Sequence, residues 1–418
     1  MTPAENATLS GGIEIEIPGW NGEEVGVGFS SAPEPPAPAA DLLAVQVSNE
    51  TELHAALASQ EPAIEISASF PITSTNTIQA GYDVIISSAD AASPIALSRD
   101  AGFTGAFFMV TDSGKLTLQD IVVDGGGEAV AGVTGSLVEA NSGTLTLNEG
   151  ATLRNNVKTS GNGGAINAIV NSTVYINDGA LIETNKLLSN AGSNGIGGGV
   201  YVSQSYPDGD DSKLYMAGGT IRGNVCPNGG GGLATGSRTV EVFMTGGNII
   251  ENSVTPDYIG GGVCSTGIFH FSGGKIADNI ATRGGGGVYV SDGRFLMTGG
   301  EVSDNDSTSG IGWGGGFWMG AGGYLEITGG TVSDNSGNYG GAIYHEYYQP
   351  YPNRSTVLSS RATRFSTAIR RRRPGELSRL SCPTEARPVH VCSRFPAMRK
   401  SRTIARKMAA ALFCKSVT

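Results

Sequence analysis

The amino-acid sequence predicts an all-β solenoid, and three observations support this fold class. One glycine-rich unit recurs seven times, and the ends of successive copies lie 26 to 39 residues apart. Within each unit apolar residues alternate with polar ones, as in a strand with one buried face. Glycine pairs separate the apolar runs and provide bends, since glycine adopts positive φ without a Cβ clash. Such units bury their apolar faces against their neighbours.

Each unit has two halves that recur in phase. The second half reads G-x-x-[apolar]-x-x-N and ends at Asn156, Asn185, Asn224, Asn252, Asn279, Asn305 and Asn335. The first half is a glycine run leading to an apolar residue and ends at Ile166, Val200, Leu233, Val263, Val288, Phe317 and Ile343. The glycine breaks leave three short strands per unit. The sequence therefore predicts a single-stranded parallel β-helix with one coil per unit.

The chain is expected to divide into three segments. Residues 1–40 end in a Pro/Ala-rich stretch, so we expect this N-terminal segment to be disordered. Residues 41–353 are expected to form the β-helix, with about 10 to 12 coils, because irregular strand signals precede the seven regular units. Residues 354–418 form a basic, non-repetitive C-terminal tail in which the glycine-rich unit does not recur.

A short helix is predicted at the start of the β-helix. Asn49 and Glu52 have the spacing of a capping box, in which each side chain satisfies a free backbone N–H. Leu53, Ala56 and Leu57 would share one face of that helix. We expect this face to cover the N-terminal end of the solenoid core.

The charge is distributed unevenly along the chain. The formal net charge is −11, yet residues 354–418 hold 16 of the 27 basic residues and only two acids. Residues 1–353 carry 11 basic and 36 acidic side chains, a balance that argues against nucleic-acid binding by the β-helix. Three interpretations of the tail stay open: a segment that binds nucleic acid or anionic surfaces, a disordered segment, and the product of a shifted reading frame.

The repeat resembles a known group of bacterial proteins. GGAI occurs at 163–166 and 340–343, GGGV occurs at 197–200, 260–263 and 285–288, and V-x-x-N or I-x-x-N follows the glycine pairs. This pattern is similar to the right-handed parallel β-helix surface proteins of bacteria, in particular to the GGAI and F-x-x-N repeats of chlamydial polymorphic membrane proteins. The resemblance implies a right-handed coil, an extracellular or cell-surface location and an adhesive role.

Neither a secretory signal peptide nor a membrane helix is predicted. Residues 1–40 show no basic stretch followed by an apolar run, and no apolar run in the sequence is long enough to span a bilayer.

Aromatic side chains form one candidate ligand-binding strip. Each residue after the apolar end of a glycine run should point outward, and Tyr289, Trp318 and Tyr344 occupy this position in three adjacent coils. Side chains that could widen the strip are Trp313, Tyr324, Tyr339, Tyr347 and Tyr348. Exposed rings would suit sugars or an apolar patch on another protein. Alternatively, the rings stack to stabilise the sheet, or a loop covers them.

Acidic side chains form a second candidate site. Glu251, Asp278, Asp304 and Asp334 each precede a repeat asparagine and should lie in a row on consecutive coils. Like charges at this spacing repel, so either water screens them or a cation such as calcium lies between them. Paired carboxylates are also used by glycosidases. A catalytic site usually interrupts a repeat, whereas this row follows it, so no catalytic residue is assigned.

A second outward strip precedes the glycine pairs and consists of Tyr215, Phe243, His270 and Leu296. We expect a loop or a partner to cover it. The repeat asparagines are expected to stack along the coil axis and to satisfy one another's amides, a structural role.

Two functions from different classes follow. The first is an adhesin-like surface protein that binds glycan or a host-surface protein through its outer face, without a cofactor. The alternative is a β-helix enzyme, a lyase or hydrolase, that degrades polysaccharide. No residue pattern predicts a metal centre other than the acidic row.

Overall fold

The chain folds as a parallel β-helix, as predicted. The computed structural model describes residues 43–345, except 94, 189–194, 205–210 and 257, and the backbone of 357–358 and 364–366. Strands of successive coils pair in parallel and in register, for example Val242 with Phe269 and Phe269 with Phe295. The right-handed sense of the coil stays a prediction.

Each coil contributes one strand to each of three long sheets. Sheet 1 has 12 strands. Its strands are Val45–Val47, Ala63–Ile66, Asp83–Ser88, Lys115–Gln119, Thr144–Leu147, Thr173–Ile176, Lys213–Met216, Glu241–Met244, Ile268–Phe271, Arg294–Met297, Tyr324–Ile327 and Val357–Leu358. Sheet 2 has 11 strands. Its strands are Phe70–Ile72, Ile95–Arg99, Ile121–Asp124, Thr152–Arg154, Leu181–Glu183, Thr220–Arg222, Asn248–Ile250, Lys275–Ala277, Glu301–Ser303, Thr331–Ser333 and Arg364–Ser366.

Sheet 3 has 10 strands, so ten coils contribute to all three long sheets. Its strands are Asn76–Ile78, Phe108–Thr111, Val138–Asn141, Ile166–Ile169, Val200–Val202, Leu233–Thr235, Val263–Ser265, Val288–Val290, Phe317–Met319 and Ile343–His345. A short sheet 4 has 5 strands between sheets 2 and 3 of the middle coils. Its strands are Val157–Lys158, Lys186–Leu187, Val225–Cys226, Ser253–Val254 and Ile280–Ala281. A single 3-10 turn, Gly127–Ala129, is described as well.

Two strands of these sheets lie inside the segment expected to be a non-repetitive tail. Val357–Leu358 pairs with the sheet 1 strand Tyr324–Ile327, and Arg364–Ser366 pairs with the sheet 2 strand Thr331–Ser333. Sheets 1 and 2 thus extend beyond the predicted boundary at residue 353. A short segment without the glycine repeat can still add a strand, because pairing uses only backbone groups. The shifted-frame interpretation stays a hypothesis.

The N-terminal helix forms as predicted. It spans Glu50–Ala58, and the Asn49 side chain accepts from the Glu52 N–H at 3.0 Å. Glu52 in turn accepts from the Ser48 N–H at 2.7 Å rather than from Asn49 itself. Leu53, Ala56 and Leu57 are buried in the main core, so the helix covers the first coil.

The core is a set of inward-facing ladders that run from coil to coil. In sheet 1, Phe269 and Phe295 are fully buried and their rings stack with centroids 4.8 Å apart. The alternation of buried and half-buried positions in strands such as Glu241–Met244 is the period-two pattern read from the sequence. Burial of these side chains stabilises the fold by about 1.5–3 kcal/mol each.

A ladder of buried asparagines connects the seven regular coils, as predicted. The carboxamide oxygen of Asn252 accepts from both the main-chain N–H and the side-chain Nδ2 of Asn224, each at 3.0 Å. The Nδ2 of Asn252 donates to Asn279 Oδ1 at 3.0 Å and to the Ile221 carbonyl at 2.9 Å. The same links recur up to Asn335. Because both Nδ2 hydrogens and the carboxamide oxygen have partners from Asn156 to Asn305, these buried polar side chains stabilise the turn.

Two buried cations lie where this ladder begins. Arg99 is 5% exposed and donates from Nη2 to Asn156 Oδ1 at 3.0 Å, so it satisfies the first carboxamide of the ladder. Lys158 is 2% exposed, and its Nζ donates to Ser136 Oγ at 2.9 Å and to the Asn162 carbonyl at 2.6 Å. Burial lowers the pKa of Arg99 to about 10 and that of Lys158 to about 8.

Removal of one ladder carboxamide should be costly. We expect Asn252→Ala to lower the free energy of unfolding by about 3 kcal/mol, because four buried hydrogen bonds of the carboxamide are lost. The control is Asn177→Ala, which removes one half-buried bond to Asn148 at 2.8 Å and should cost about 1 kcal/mol or less. Urea unfolding of both variants measures the difference, and equal losses would contradict the structural role of the ladder.

The buried ammonium group should make stability depend on pH. The pKa of Lys158 falls from 10.5 to about 8 on folding, so between these values the unfolded chain binds more protons. The free energy of unfolding therefore rises with pH in this window, and Lys158→Met removes that contribution. We expect the wild-type value, relative to the variant, to grow by about 2 kcal/mol between pH 8 and pH 10. Lys115→Met, at a solvent-exposed ion pair, is the control. Parallel pH profiles for wild type and Lys158→Met would refute the prediction.

Candidate functional site

The predicted aromatic strip has the expected register but not the expected exposure. Tyr289 pairs with Trp318, and Trp318 pairs with Tyr344, on adjacent strands of sheet 3. Tyr289 and Tyr344 are half-buried, whereas Trp318 is only 3% exposed. The expectation that the Trp318 ring is exposed is therefore wrong.

Trp318 is buried because the chain folds back over it. The chain turns at Gly314–Gly316, and this turn places Trp313 beside Trp318 with ring centroids 4.8 Å apart. Tyr289 lies on the other side, at 4.7 Å in an edge-to-face arrangement. Gly284 leaves the space that the indole needs, since a Cβ there would lie 2.8 Å from Trp318 Cε3. Trp318 is thus the packed centre of the cluster, and Trp318→Ala would remove core as well as surface.

The exposed side chains lie in the connection that leads from sheet 4 to sheet 3. A backbone ladder there joins Ile259 to Gly284, Gly284 to Trp313, and Trp313 to Tyr339. Tyr339 is 57% exposed, and Ile311, one coil earlier, is 41% exposed. Tyr258, three coils before Tyr339 in the same connection, is also 41% exposed. Trp313 is half-buried and stacks on Tyr344 at 5.9 Å with an interplanar angle of 10°.

These side chains define a surface that we call the connection patch: Tyr258, Arg283, Ile311, Trp313 and Tyr339. Of these residues, the sequence predicted Trp313 and Tyr339, both as side chains that could widen the aromatic strip. It did not predict Tyr258, Arg283 or Ile311, because their turns have no regular spacing from which to infer exposure. Tyr347 and Tyr348 lie outside the described residues.

Arg283 is the charged member of the connection patch. Its guanidinium carbon lies 5.7 Å from the centroid of the Trp313 ring and 5.9 Å from that of Trp318, as in a cation–π contact. The side chain is exposed, and within residues 43–345 as described no carboxylate forms an ion pair with it. One sequence signal could have found it: Arg283 is a basic residue directly before a glycine run in a strongly acidic repeat array.

The acidic row has a conformational explanation. Glu251, Asp278, Asp304 and Asp334 are exposed and adopt left-handed backbone conformations, with φ between 56° and 58°. The earlier coils have Asn155, Thr184 and Gly223 at this position, with φ between 54° and 60°. Asp, Asn and Gly tolerate this region best, so the bend itself selects most of these residues. In the described part of the chain, no three His, Cys, Asp or Glu side chains are grouped so that they could hold a metal ion.

The second strip is a ring stack on the outer face of sheet 1. Tyr175, Tyr215, Phe243 and His270 stack at centroid distances of 5.1, 5.1 and 4.6 Å, with interplanar angles of 13° or less. The sequence did not identify Tyr175 as its first member. Each inner ring has a ring against both of its faces, so the stack stabilises the sheet and offers a ligand mainly ring edges. Burial lowers the pKa of His270, while Glu241, 3.7 Å away, opposes this shift.

Comparison of the chain with protein families, with curated proteins and with solved structures gives no match, so its function has to be inferred from its own residues. In the described residues, no helix has the length and apolar character needed to cross a membrane.

Substitutions at Asp304 separate the conformational explanation of the acidic row from a cation site. We expect Asp304→Asn to leave the free energy of unfolding within about 0.5 kcal/mol, because Asn tolerates a φ of 58°. Asp304→Val should cost about 1–3 kcal/mol, because a β-branched residue is strained there. Thr331→Val, in a neighbouring strand, is the control and should have little effect. A rise in melting temperature with CaCl2 that Asp304→Asn abolishes would instead establish a calcium site.

Proposed function

We propose that this protein is an adhesin-like binding protein that recognises carbohydrate through the connection patch. The single observation that supports this function most is the exposure of Tyr339, 57% accessible beside the half-buried Trp313. Large exposed apolar groups that lie close together mark interaction sites more often than isolated ones do. The patch takes residues from four consecutive coils, so it could contact an extended ligand.

The two aromatic surfaces differ in whether a ring face is accessible. In the sheet 1 stack, Tyr215 is enclosed by Tyr175 and Phe243 at 5.1 Å on either side. Tyr339 makes no ring contact with another described aromatic residue. The C–H groups of a sugar ring stack on an open aromatic face, while the phenol hydroxyl can bond to sugar hydroxyls. Carbohydrate recognition is therefore better supported at Tyr339 than on sheet 1.

The extracellular or cell-surface location belongs to this proposal. It is supported by the GGAI and V-x-x-N repeats and by their resemblance to bacterial β-helix surface proteins. An apolar patch on a host-surface protein is the second kind of ligand that the exposed rings would suit. The alternative function, polysaccharide cleavage by the acidic row, has weaker support because the backbone conformation accounts for most of that row.

The proposed function predicts loss of glycan retention when Tyr339 is truncated. The full chain and its Tyr339→Ala variant would be applied to an array of neutral and acidic glycans. We expect affinity for the retained glycan to fall about tenfold, because one stacking contact is worth about 1 kcal/mol or more. Leu43→Ala, which truncates a 98% exposed residue far away in sequence, is the control and should bind like wild type. Circular dichroism should be unchanged in both variants.

Two results would contradict the proposal. The first is a glycan that wild type and Tyr339→Ala retain equally, or an array that retains neither. The second is the release of reducing ends or unsaturated products from polysaccharide by wild type, since this result would favour the enzyme.

A further inference from the structure

We propose that the connection patch selects acidic sugars, with Arg283 as the residue that pairs with the sugar carboxylate. This inference rests on the proposed function and adds the chemical class of the ligand. It depends on which partners the few basic side chains of the solenoid have.

Residues 1–353 contain 11 basic side chains against 36 acids. Seven of the basic side chains form ion pairs with carboxylates: Lys115, Arg154, Lys186, Lys213, Arg222, Arg238 and Lys275. Two more, Arg99 and Lys158, are buried beside the asparagine ladder. Arg294 lies over Tyr324, whose hydroxyl donates to Glu326 at 2.9 Å. Arg283 and Arg294 are both exposed, and neither forms an ion pair with a carboxylate among the described residues. Of the two, only Arg283 lies in the connection patch.

An exposed arginine without a described carboxylate partner is unexpected in a chain with such an excess of acids. Its position is defined by two indoles, at 5.7 Å and 5.9 Å from the guanidinium carbon. Indole faces hold a guanidinium through its flat side and leave the N–H groups at its edge available for a planar acceptor. A carboxylate is such an acceptor, because it pairs with the guanidinium through two parallel hydrogen bonds.

Asp306 lies in the adjacent connection and forms no ion pair with Arg283. Its carboxylate accepts from the Thr308 N–H at 2.7 Å and so closes its own turn. A ligand carboxylate paired with Arg283 would gain charge-assisted hydrogen bonds from the guanidinium group. The sugar ring would then stack on Tyr339 or Trp313 of the same patch.

The test compares two polymers with the same sugar backbone, polygalacturonate with its free carboxylates and its fully methyl-esterified, uncharged form. Binding of the full chain to each would be measured for wild type, Arg283→Gln and Arg283→Lys. We expect wild type to bind the acid polymer more tightly than the ester. Arg283→Gln should lower the affinity for the acid polymer about tenfold and change the affinity for the ester less than twofold. The affinity of Arg283→Lys for the acid polymer should lie between those of wild type and Arg283→Gln. Lysine keeps the positive charge but cannot form the two parallel hydrogen bonds of a guanidinium group. Arg238→Gln removes a base that is paired with Asp292 at 3.0 Å and should match wild type.

Each other outcome overturns the inference in a different way. Equal losses of Arg283→Gln on both polymers would show that Arg283 only supports the indoles. Unchanged binding of Arg283→Gln, with binding still lost in Tyr339→Ala, would refute acidic selectivity and leave glycan recognition standing. Binding of poly-glutamate that depends on Arg283, without binding of either polymer, would indicate an acidic protein partner. No binding of wild type to any glycan would refute both proposals. Thermal melts show whether each variant is folded.

Discussion

The asparagine ladder is the constraint on which the regular coils depend. At each of these turns the asparagine side chain points into the protein, where its polar atoms have no access to solvent. The carboxamide of Asn252 bonds to Asn224 and Ile221 in the preceding coil and to Asn279 in the following coil, with a relative exposure of 0%. An alternative register would leave several of these groups without partners. The ladder thus aligns each coil with the next, and Arg99 closes it at its N-terminal end.

A fixed register determines which side chains can become functional. Because the coils superimpose, a residue in one turn lies above its counterpart in the next, and side chains form rows. Rows on sheet 1 pack face to face, so a row of rings becomes a stabilising stack. In the connection before sheet 3, glycine turns interrupt the rows, and the path of the chain differs from coil to coil. There Trp313 folds over Trp318, Gly284 makes room for the indole, and Tyr339 and Arg283 keep access to solvent.

The register of the coils also explains why the acidic row and the connection patch differ as candidate binding sites. The acidic row is regular because a left-handed bend recurs, so its residues reflect backbone geometry first. The connection patch is irregular, and its aromatic and cationic members are not required by the fold. Surface features that a repeat does not require are where a solenoid acquires recognition, because they change without loss of the core. Carbohydrate recognition is proposed at the connection patch for this reason.

The sequence by itself determined the β-helix, its strand period, its capping helix and the asparagine ladder, because these features depend on repeated local patterns. The residues around Asn252 or Val288 have the same environment in every unit, so spacing alone predicts it. Only the tertiary structure decided that Trp318 is buried, that Arg99 closes the ladder and that Arg283 lies over two indoles. These outcomes depend on how one turn packs against its neighbour. Such a contact does not recur at a regular spacing, so the repeat pattern of the sequence does not predict it. The sequence therefore placed the aromatic residues in adjacent coils, while packing decided which of them are exposed.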